Sequence, residues 1–337
     1  MWYLNKIVFS FTLTLGTLIA ASSYTWMGMW FGLEINLLSF IPLITKPSNT
    51  FSSESALKYF ITQAIASTIL LFAVILLSSQ LMFFIQNNWS MNAILNMSLL
   101  LKMGAAPLHF WFPEVMEGLS WGSNALLLTW QKIAPMILLT YSSKTLSLML
   151  AIVISCMVIS GIAGQNQTSL RKIMAYSSIN HIGWMIAAAM FLELVWVIYF
   201  IIYSIITLNI VVMFNNLNIF FIKQMTLCMN FDPLTKLFFI LNFLSLGGLP
   251  PFLGFIPKWL TIQTLTENGL ISLSVVMIIL TLMTLYFYLR ITFSSILLSI
   301  NTIPIHFKSP KNKFFIISSN LVTLASFIFI TLAFNYL

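Results

Sequence analysis

The chain consists of long apolar runs that follow one another with only short polar interruptions. Hydrophobic residues make up 60% of the 337 residues and charged residues 7%, whereas soluble domains carry about 25% charged residues. Because the runs are continuous, without the period-two alternation of barrel strands, they predict membrane-spanning α-helices. A span with its turn takes about 25 to 30 residues, so this length holds about ten to twelve spans. The sequence therefore predicts an all-α polytopic membrane protein.

Division of the chain at its polar and turn-forming clusters gives eleven predicted transmembrane helices. They cover residues 3–22, 24–45, 56–85, 91–108, 122–142, 146–163, 169–190, 192–222, 235–265, 271–299 and 314–335. The opening residues, a lysine followed by an apolar run, resemble a signal peptide, but no convincing small-residue cleavage motif precedes Tyr24. We interpret this segment as the first span.

The basic residues segregate to one side of this predicted topology. Eleven lie on the side of the N-terminus, namely Lys6, Lys46, Lys58, Arg171, Lys172, Lys223, Lys236, Arg290, Lys308, Lys311 and Lys313, and only Lys144 lies on the other. Loops that stay on the side of synthesis carry an excess of Lys and Arg. The asymmetry supports eleven spans, with the termini on opposite sides of the membrane.

Glycine and proline interrupt two of the predicted spans in the same pattern. One triplet is Gly104, Pro107 and Pro113, and the other is Gly248, Pro251 and Pro257. Corresponding members of the two triplets are separated by the same number of residues, the number from Gly104 to Gly248. We call this separation the break spacing. Each break falls in the fourth helix of a five-helix block, and an odd number of spans per block predicts an inverted repeat.

The inverted repeat divides the chain into three predicted parts. They are 1–142 (first repeat), 143–299 (second repeat) and 300–337 (a loop and a terminal helix). Two unrelated proline kinks are the alternative interpretation.

Four ionisable residues lie inside predicted spans: Glu34, Lys102, Lys132 and Lys258. A charge at mid-bilayer costs about 2.5 to 3.5 kcal/mol on insertion scales, so such residues are functional candidates. Burial favours the neutral form of each group and an opposite charge favours the ionised form. Glu34 with one of the lysines is therefore a candidate switchable pair. A static bridge, or a lysine that extends to the membrane surface, is the alternative.

His181 lies near the middle of the seventh predicted span, where Ser177, Ser178 and Asn180 make the helix wettable. An imidazole exchanges protons near neutral pH, so a relay is one interpretation and a hydrogen-bonded core histidine is the other. His109, followed by Glu114 and Glu117, is expected near the membrane surface, where packing or capping competes with transport. His306 falls in the basic loop with Lys308, Lys311 and Lys313 and is expected to be solvated.

Motifs for a redox cofactor, a nucleotide or a metal cluster are not found in this sequence. Cys156 and Cys228 lie far apart without CxxC spacing, and neither GxGxxG nor GxxxxGK[ST] occurs. We expect any redox cofactor to lie on another chain.

Five segments carry a family resemblance. They are Leu33-Glu34-Ile-Asn-Leu-Leu38, Leu101-Lys102-Met-Gly-Ala-Ala-Pro107-Leu-His-Phe-Trp-Phe-Pro113-Glu114, Trp130-Gln-Lys132-Ile-Ala-Pro135, Gln167-Thr-Ser-Leu-Arg-Lys172 and Gly247-Gly-Leu-Pro-Pro-Phe-Leu-Gly-Phe-Ile-Pro257-Lys258-Trp259. Together they resemble the NADH dehydrogenase subunit 2 family, the mitochondrially encoded antiporter-like membrane subunits of respiratory complex I, in an insect version. The resemblance covers nearly the whole chain.

The resemblance implies two inverted five-helix bundles, each with a broken helix, and a terminal helix. It implies that Glu34 is the key glutamate, that Lys102, Lys132 and Lys258 are proton-channel lysines, and that His181 is a polar position of the central hydrophilic axis. This chain would bind no cofactor or metal, because NADH, FMN, iron–sulfur clusters and ubiquinone belong to partner subunits. The N-terminus would face the mitochondrial matrix and the C-terminus the intermembrane space.

The implied partners are other subunits of the same assembly. Small quinone-proximal core subunits would lie on one side and the next antiporter-like subunit on the other, with accessory subunits and phospholipids such as cardiolipin around them. Nucleic acid is not expected. A stand-alone cation/proton antiporter is the alternative function, and a purely structural membrane scaffold, in which the buried charges are dispensable, is a third.

Overall fold

A computed structural model describes residues 2–46, 49–80, 89–143, 145–228, 233–250, 252–297 and Asn320. Within these residues the chain forms fourteen α-helices and no strand, apart from one isolated antiparallel bridge between Ser169 and Phe221. The prediction of an all-α fold is confirmed.

The helices follow one another with short connections. The first seven are α1 (Trp2–Ser22), α2 (Trp26–Ile44), α3 (Thr50–Gln80), α4 (Trp89–Met103), α5 (Trp111–Gly118), α6 (Trp121–Leu128) and α7 (Trp130–Tyr141). The second seven are α8 (Leu146–Gln165), α9 (Leu170–Ala189), α10 (Glu193–Leu217), α11 (Ile222–Cys228), α12 (Pro233–Gly247), α13 (Phe255–Glu267) and α14 (Ile271–Leu297).

Six of these helices, α1, α2, α3, α8, α10 and α14, are long and apolar enough to cross a membrane. Predicted span four, 91–108, contains α4 and the start of the expected break, and α5 follows it. Predicted span nine contains α12 and α13 on either side of its expected break, and predicted span five contains two helices, α6 and α7. The seventh predicted span corresponds to α9, which is 20 residues long. The last predicted span, 314–335, lies outside the described residues except for Asn320.

The fifth predicted span, 122–142, differs from the expectation of one continuous helix. Helix α6 ends at Leu128 and α7 begins at Trp130, with Thr129 between them at φ −113° and ψ −71°. The hydroxyl of Thr129 donates to the carbonyl of Ala125 at 2.8 Å, and Pro135 lacks the amide that would bond to the fourth residue before it. A proline ring and a back-bonded threonine both distort the turns around them.

Two helix breaks have the same backbone construction. Helix α4 ends at Met103 and α5 begins at Trp111, while α12 ends at Gly247 and α13 begins at Phe255, so the boundaries of the two breaks differ by the break spacing. Gly104 and Gly248 have φ angles of +75° and +76°, a conformation that favours glycine.

The hydrogen bonds across the breaks are equivalent too. The amides of Gly104 and Gly248 bond to carbonyls three residues earlier, at 3.1 and 3.0 Å, and the next amides bond five residues back. These bonds end both helices in the same way. The prediction of non-helical breaks is confirmed.

The break spacing extends to helices outside the breaks. It separates the first residues of α2 and α9 and of α5 and α13, while α3 and α10 begin only slightly closer together. A chance pair of proline kinks would not place these helix starts in register. The inverted orientation of the two blocks stays a prediction, because it refers to the membrane.

The chain divides into two compact units, Met1–Ser155 and Cys156–Leu337, and the division falls inside α8. Large side chains fill the interior of each unit, including Phe40, Phe112 and Trp121 in the first and Trp184 and Phe243 in the second. The predicted parts 1–142, 143–299 and 300–337 stay predictions.

Candidate functional site

In the first unit, Lys102 occupies the last turn of α4, immediately before the break, and is 6% exposed. It lines a cavity of about 10 Å³ together with Asn36, Tyr59, Gln63 and Gln131. A space of about 10–15 Å³ holds one water if polar groups surround it. The buried ammonium of Lys102 therefore lies in a polar, hydratable environment.

Polar side chains from three helices form a hydrogen-bonded chain at this cavity. The hydroxyl of Tyr59 on α3 donates to Oε1 of Gln131 on α7 at 3.3 Å, and Nε2 of Gln131 donates to Oδ1 of Asn36 on α2 at 3.0 Å. Nε2 of Gln63 donates to the carbonyl of Lys102 at 3.3 Å. These amides fix the walls of the cavity, because a buried polar group without a partner costs about 1–3 kcal/mol.

Glu34 lies on α2 and is half-buried. Its carboxylate and the ammonium of Lys102 do not form a direct ion pair. The predicted Glu34–lysine pair is therefore not a static bridge between Glu34 and Lys102.

Lys132 lies in the first turn of α7, shortly after the Thr129 interruption, and is 1% exposed. Its Nζ lies 5.6 Å from the ring centroid of Phe112, within the range of a cation–π contact. Phe112 belongs to α5, the helix that follows the first break. The Thr129 interruption thus positions Lys132 in the interior next to that break.

In the second unit, Lys258 lies on the first turn of α13, immediately after the break, and is 6% exposed. Its Nζ donates to the carbonyl of Gly247 at 2.8 Å and to that of Leu246 at 3.4 Å. Trp184 lies beneath the same ammonium, 6.0 Å away. Carbonyls at a helix C-terminus carry partial negative charge, so Lys258 caps α12.

His181 lies on α9 and is 4% exposed. Its Nδ1 forms a 2.8 Å hydrogen bond with the hydroxyl of Tyr199 on α10, and the ring of Tyr203 packs 4.9 Å from its own. His181, Tyr199, Tyr203 and Ser245 line a second cavity of about 10 Å³, which also borders Leu246 at the end of α12. His181 is therefore near the second break without being in it.

The remaining predicted candidates have local partners. His109 is 5% exposed, and its Nδ1 lies 3.2 Å from the carbonyl of Pro107 in the first break. Glu114 and Glu54 both form ion pairs with Lys58, at 2.9 and 3.0 Å, on the exterior.

His306 and the lysines of its loop, Lys308, Lys311 and Lys313, lie outside the described residues. Among the described residues, no group of three His, Cys, Asp or Glu side chains is arranged to hold a metal ion.

The structure places the five predicted site residues in two groups. Glu34, Lys102 and Lys132 belong to the first unit, and His181 and Lys258 to the second. Sequence reasoning missed the uncharged members of both groups, chiefly Asn36, Tyr59, Gln63, Gln131 and Tyr199.

The break spacing was an available signal for some of these uncharged residues. It pairs Asn36 with Asn180 and Tyr59 with Tyr203, and all four side chains are buried. Matching polar residues at equivalent positions of the two units mark places where both interiors are polar.

The family described as NADH:quinone oxidoreductase/Mrp antiporter, TM, matches residues 23–284. NADH-ubiquinone oxidoreductase chain 2 of Anopheles gambiae is 53% identical over 298 residues, which are 87% of this chain and 86% of that one. The Aedes aegypti chain of the same name is 49% identical over 330 residues and 96% of both chains. The chain belongs to the NADH-ubiquinone oxidoreductase chain 2 family. The predicted family is confirmed.

Solved structures share the fold of this family member. A chain of respiratory complex I from Thermus thermophilus with bound aureothin superposes with a TM-score of 0.85 at 23% identity, over 96% of this chain and 78% of that one. A chain of the Mrp complex from Dietzia sp. gives a TM-score of 0.77 at 16% identity, over 95% and 74%. At these identities the similarity shows the antiporter-like fold alone.

Proposed function

We propose that this chain translocates protons across the mitochondrial inner membrane as a membrane-arm subunit of NADH:ubiquinone oxidoreductase, respiratory complex I. The observation that carries the proposal is the pair of broken helices, each with a buried lysine in the turn next to its break. Redox chemistry on partner subunits, which hold NADH, FMN, iron–sulfur clusters and ubiquinone, drives the transport. This chain contributes no redox centre to the enzyme.

The proposed architecture has eleven spans in two inverted five-helix repeats, 1–142 and 143–299, with a loop and terminal helix in 300–337. The shared spacing of helix boundaries supports the repeats. In an inverted repeat, paired broken helices place ion sites near the bilayer midplane. Free carbonyls and buried ammonium groups at that depth are tolerated only beside protein or water. The polar cavity beside Lys102 in the first unit and the hydrogen bonds of Lys258 to the carbonyls of Leu246 and Gly247 in the second are consistent with this requirement.

The five predicted site residues have distinct proposed roles. Glu34 is the electrostatic switch and Lys102 its partner; the absence of a direct ion pair between them in this structure is compatible with a pair that switches. Lys132 and His181 are relay sites, supported by their burial. Lys258 exchanges protons with the neighbouring subunit or one bulk phase.

The proposed orientation places the N-terminus in the matrix and Leu337 in the intermembrane space. Small quinone-proximal core subunits flank the chain on one side and the next antiporter-like subunit on the other, with accessory subunits and phospholipids around them. A cysteine at position 310 should react with a membrane-impermeant maleimide in inside-out vesicles. Reaction only from the intermembrane side would contradict this orientation.

Replacing Lys102 by Met in the assembled complex tests the proposed relay. Proton pumping coupled to NADH oxidation should fall by at least about tenfold, since a positioned acid–base group contributes about 10²–10⁴-fold. Electron transfer from NADH to an artificial acceptor, which bypasses the membrane arm, should remain nearly unchanged. Lys313→Met, a loop charge, is the control and should do little. Unchanged pumping in fully assembled Lys102→Met complex would assign Lys102 a structural role.

A stand-alone cation/proton antiporter is the second candidate, and the fold similarity to the Mrp complex chain favours it. An obligate complex subunit should be unstable or inert alone and should co-purify with a megadalton assembly. Cation-dependent proton exchange by the isolated chain in liposomes would favour the antiporter.

A further inference from the structure

An open pocket lies where the start of α1, the end of α2 and the start of α3 meet, away from the proposed proton path. Its volume is about 340 Å³, within the range of about 300–1,000 Å³ that is usual for ligand-binding clefts. Its polar lining includes Asn5, Lys6, Lys46, Asn49, Thr50 and Ser53. We call this space the α1–α3 pocket.

The α1–α3 pocket is positively charged. Lys6 and Lys46 both line it, and none of the described residues in its lining is acidic. The carboxylate next to the lining along α3 belongs to Glu54, which forms an ion pair with Lys58 at 3.0 Å. Lys58 also pairs with Glu114 at 2.9 Å. A concave surface with charges of one sign attracts ligands of the opposite sign, so the pocket favours an anion.

Hydrogen bonds between the end of α2 and the start of α3 hold one wall of this pocket in place. The amide of Lys46 donates to the hydroxyl of Ser52 at 3.1 Å, and that hydroxyl lies 2.7 Å from the carbonyl of Asn49. The amide of Phe51 donates to Oδ1 of Asn49 at 3.2 Å, which leaves Nδ2 of Asn49 as a donor. The wall that carries Lys46 is therefore preformed.

The pocket changes from polar to apolar along the helix axes. Asn5 lies in the first turn of α1, Thr50 begins α3, and Lys46 follows the end of α2. Phe9 and Pro42 also line the pocket, about one helical turn further into α1 and α2. All three helices are long and apolar enough to cross a membrane, so their ends lie at the level of the lipid headgroups. The lining therefore matches a ligand with a charged head and an apolar body.

We propose that the α1–α3 pocket binds the headgroup of an anionic phospholipid. The phosphate lies between the ammonium groups of Lys6 and Lys46, Nδ2 of Asn49 supplies a further donor, and the acyl chains pass Phe9 and Pro42 toward the bilayer interior. A zwitterionic headgroup fits less well, because its own cation would meet two lysines. This inference gives a site to one of the phospholipids proposed to surround the chain, and it rests on the membrane placement of α1 to α3 and not on proton transport.

A photoreactive phosphatidylglycerol, with a diazirine in the acyl chain next to the glycerol, tests this site. The probe is added to delipidated, assembled complex I in phosphatidylcholine nanodiscs. After irradiation, peptide mass spectrometry locates the label, and its yield is normalised to FMN. Label is expected in the peptides that contain Phe9 and Pro42. Absence of label there would overturn the proposal, since another group, such as acidic side chains of a partner subunit, would then fill the pocket.

Lys6→Gln and Lys46→Gln remove the two charges and keep polar side chains. A lysine at an anionic membrane surface strengthens binding about fivefold, so each single variant should lose label about fivefold and the double variant about twentyfold. Lys223→Gln is the matched control, because Lys223 is exposed on α11, belongs to the same predicted side of the membrane and does not line the pocket. Its label should stay within about twofold of wild type. Unchanged label in the double variant, or an equal loss in Lys223→Gln, would overturn the site.

Competition on the wild-type complex keeps the test decisive if a variant fails to assemble. Unlabelled phosphatidylglycerol should displace the label, and an excess of inorganic phosphate should not. Displacement by inorganic phosphate would overturn the proposal in favour of a soluble phosphate ligand. Equal labelling by a photoreactive phosphatidylcholine would overturn the preference for an anionic lipid. Because labelling is measured without turnover, failure of the proposed proton transport in Lys102→Met leaves this result unaffected.

Discussion

The two helix breaks share their backbone and differ in the groups that bind it. In the first break, Nε1 of the Trp111 indole donates to the carbonyl of Leu101 at 3.2 Å, and Lys102 precedes the break. In the second, the ammonium of Lys258 donates to the carbonyl of Gly247 at 2.8 Å and follows the break. The indole thus shares a carbonyl of the last turn of α4 with the amide of Gly104, whereas the ammonium bonds to the last two carbonyls of α12.

The backbone of the two breaks is the same, and the side chains that bind to it differ. A positive-φ glycine and two equivalent amide bonds build the break in both units. In the first unit Lys102 lines the amide-lined cavity beside the break. Lys258 instead couples its charge to the helix terminus, so its protonation state and the second break depend on each other.

Gly254→Ala should have the largest effect on assembly of the complex, because it disrupts the backbone of the second break and leaves the first unchanged. A Cβ at Gly254 would overlap the carbonyl oxygen of Ser245, which is backbone and cannot move aside. Overpacking destabilises a protein by about 1–3 kcal/mol or more, and we expect a destabilisation at the upper end of this range. Native gels should therefore show a severe loss of assembled complex.

Gly247→Ala is the matched control, since its nearest neighbour would be a side chain at 3.7 Å. Phe110 occupies the position equivalent to Gly254 in the first break and is 74% exposed, so Phe110→Ala should also assemble. Normal assembly of Gly254→Ala would show that the second break does not need this close approach.

Lys258→Met and Trp111→Phe test the two caps against each other. Lys258→Met removes the donor that two carbonyls share and Trp111→Phe removes a donor of one carbonyl. A charged hydrogen bond is worth about 1.5–3 kcal/mol and a neutral one about 0.5–1.5. Thermal inactivation of the complex should therefore shift more for Lys258→Met, and only that variant should also lose pumping. A larger shift for Trp111→Phe would contradict the assignment of Lys258 as a cap.

The sequence predicted those features that depend on residue type at a fixed spacing. Glycine with proline marks both breaks, and the rare charges mark the buried ionisable groups, because each is costly in an apolar span. The Thr129 interruption escaped prediction, since a threonine in the turns before a proline is not by itself a break signal. The hydrogen-bonded chain from Tyr59 to Asn36 was not predicted either, because its members lie on three helices and meet only through tertiary packing.

Gly104→Ala and Gly248→Ala compare the positive-φ positions. Placing a side chain at such an angle costs about 1–2 kcal/mol, so both should lower stability by a similar amount. The new Cβ at Gly248 would also meet Cδ of Lys258 at 2.7 Å, whereas at Gly104 it meets Phe112 at 3.1 Å. Pumping by assembled complex should therefore fall further in Gly248→Ala, because the lysine must move. Equal pumping in both variants would contradict a role for the position of Lys258.

Tyr59→Phe should have the smallest effect on proton pumping, and it tests the hydrogen-bonded wall of the cavity beside Lys102. The lost bond to Gln131 is 3.3 Å long, and Gln131 keeps its 3.0 Å bond to Asn36. A neutral hydrogen bond contributes about 0.5–1.5 kcal/mol, and water in the cavity can replace this one, so pumping should fall by less than about threefold. Tyr203→Phe, at the position that the break spacing pairs with Tyr59, gives the equivalent change in the second unit and should be as mild. A tenfold loss in Tyr59→Phe would make its hydroxyl part of the proton path beside Lys102.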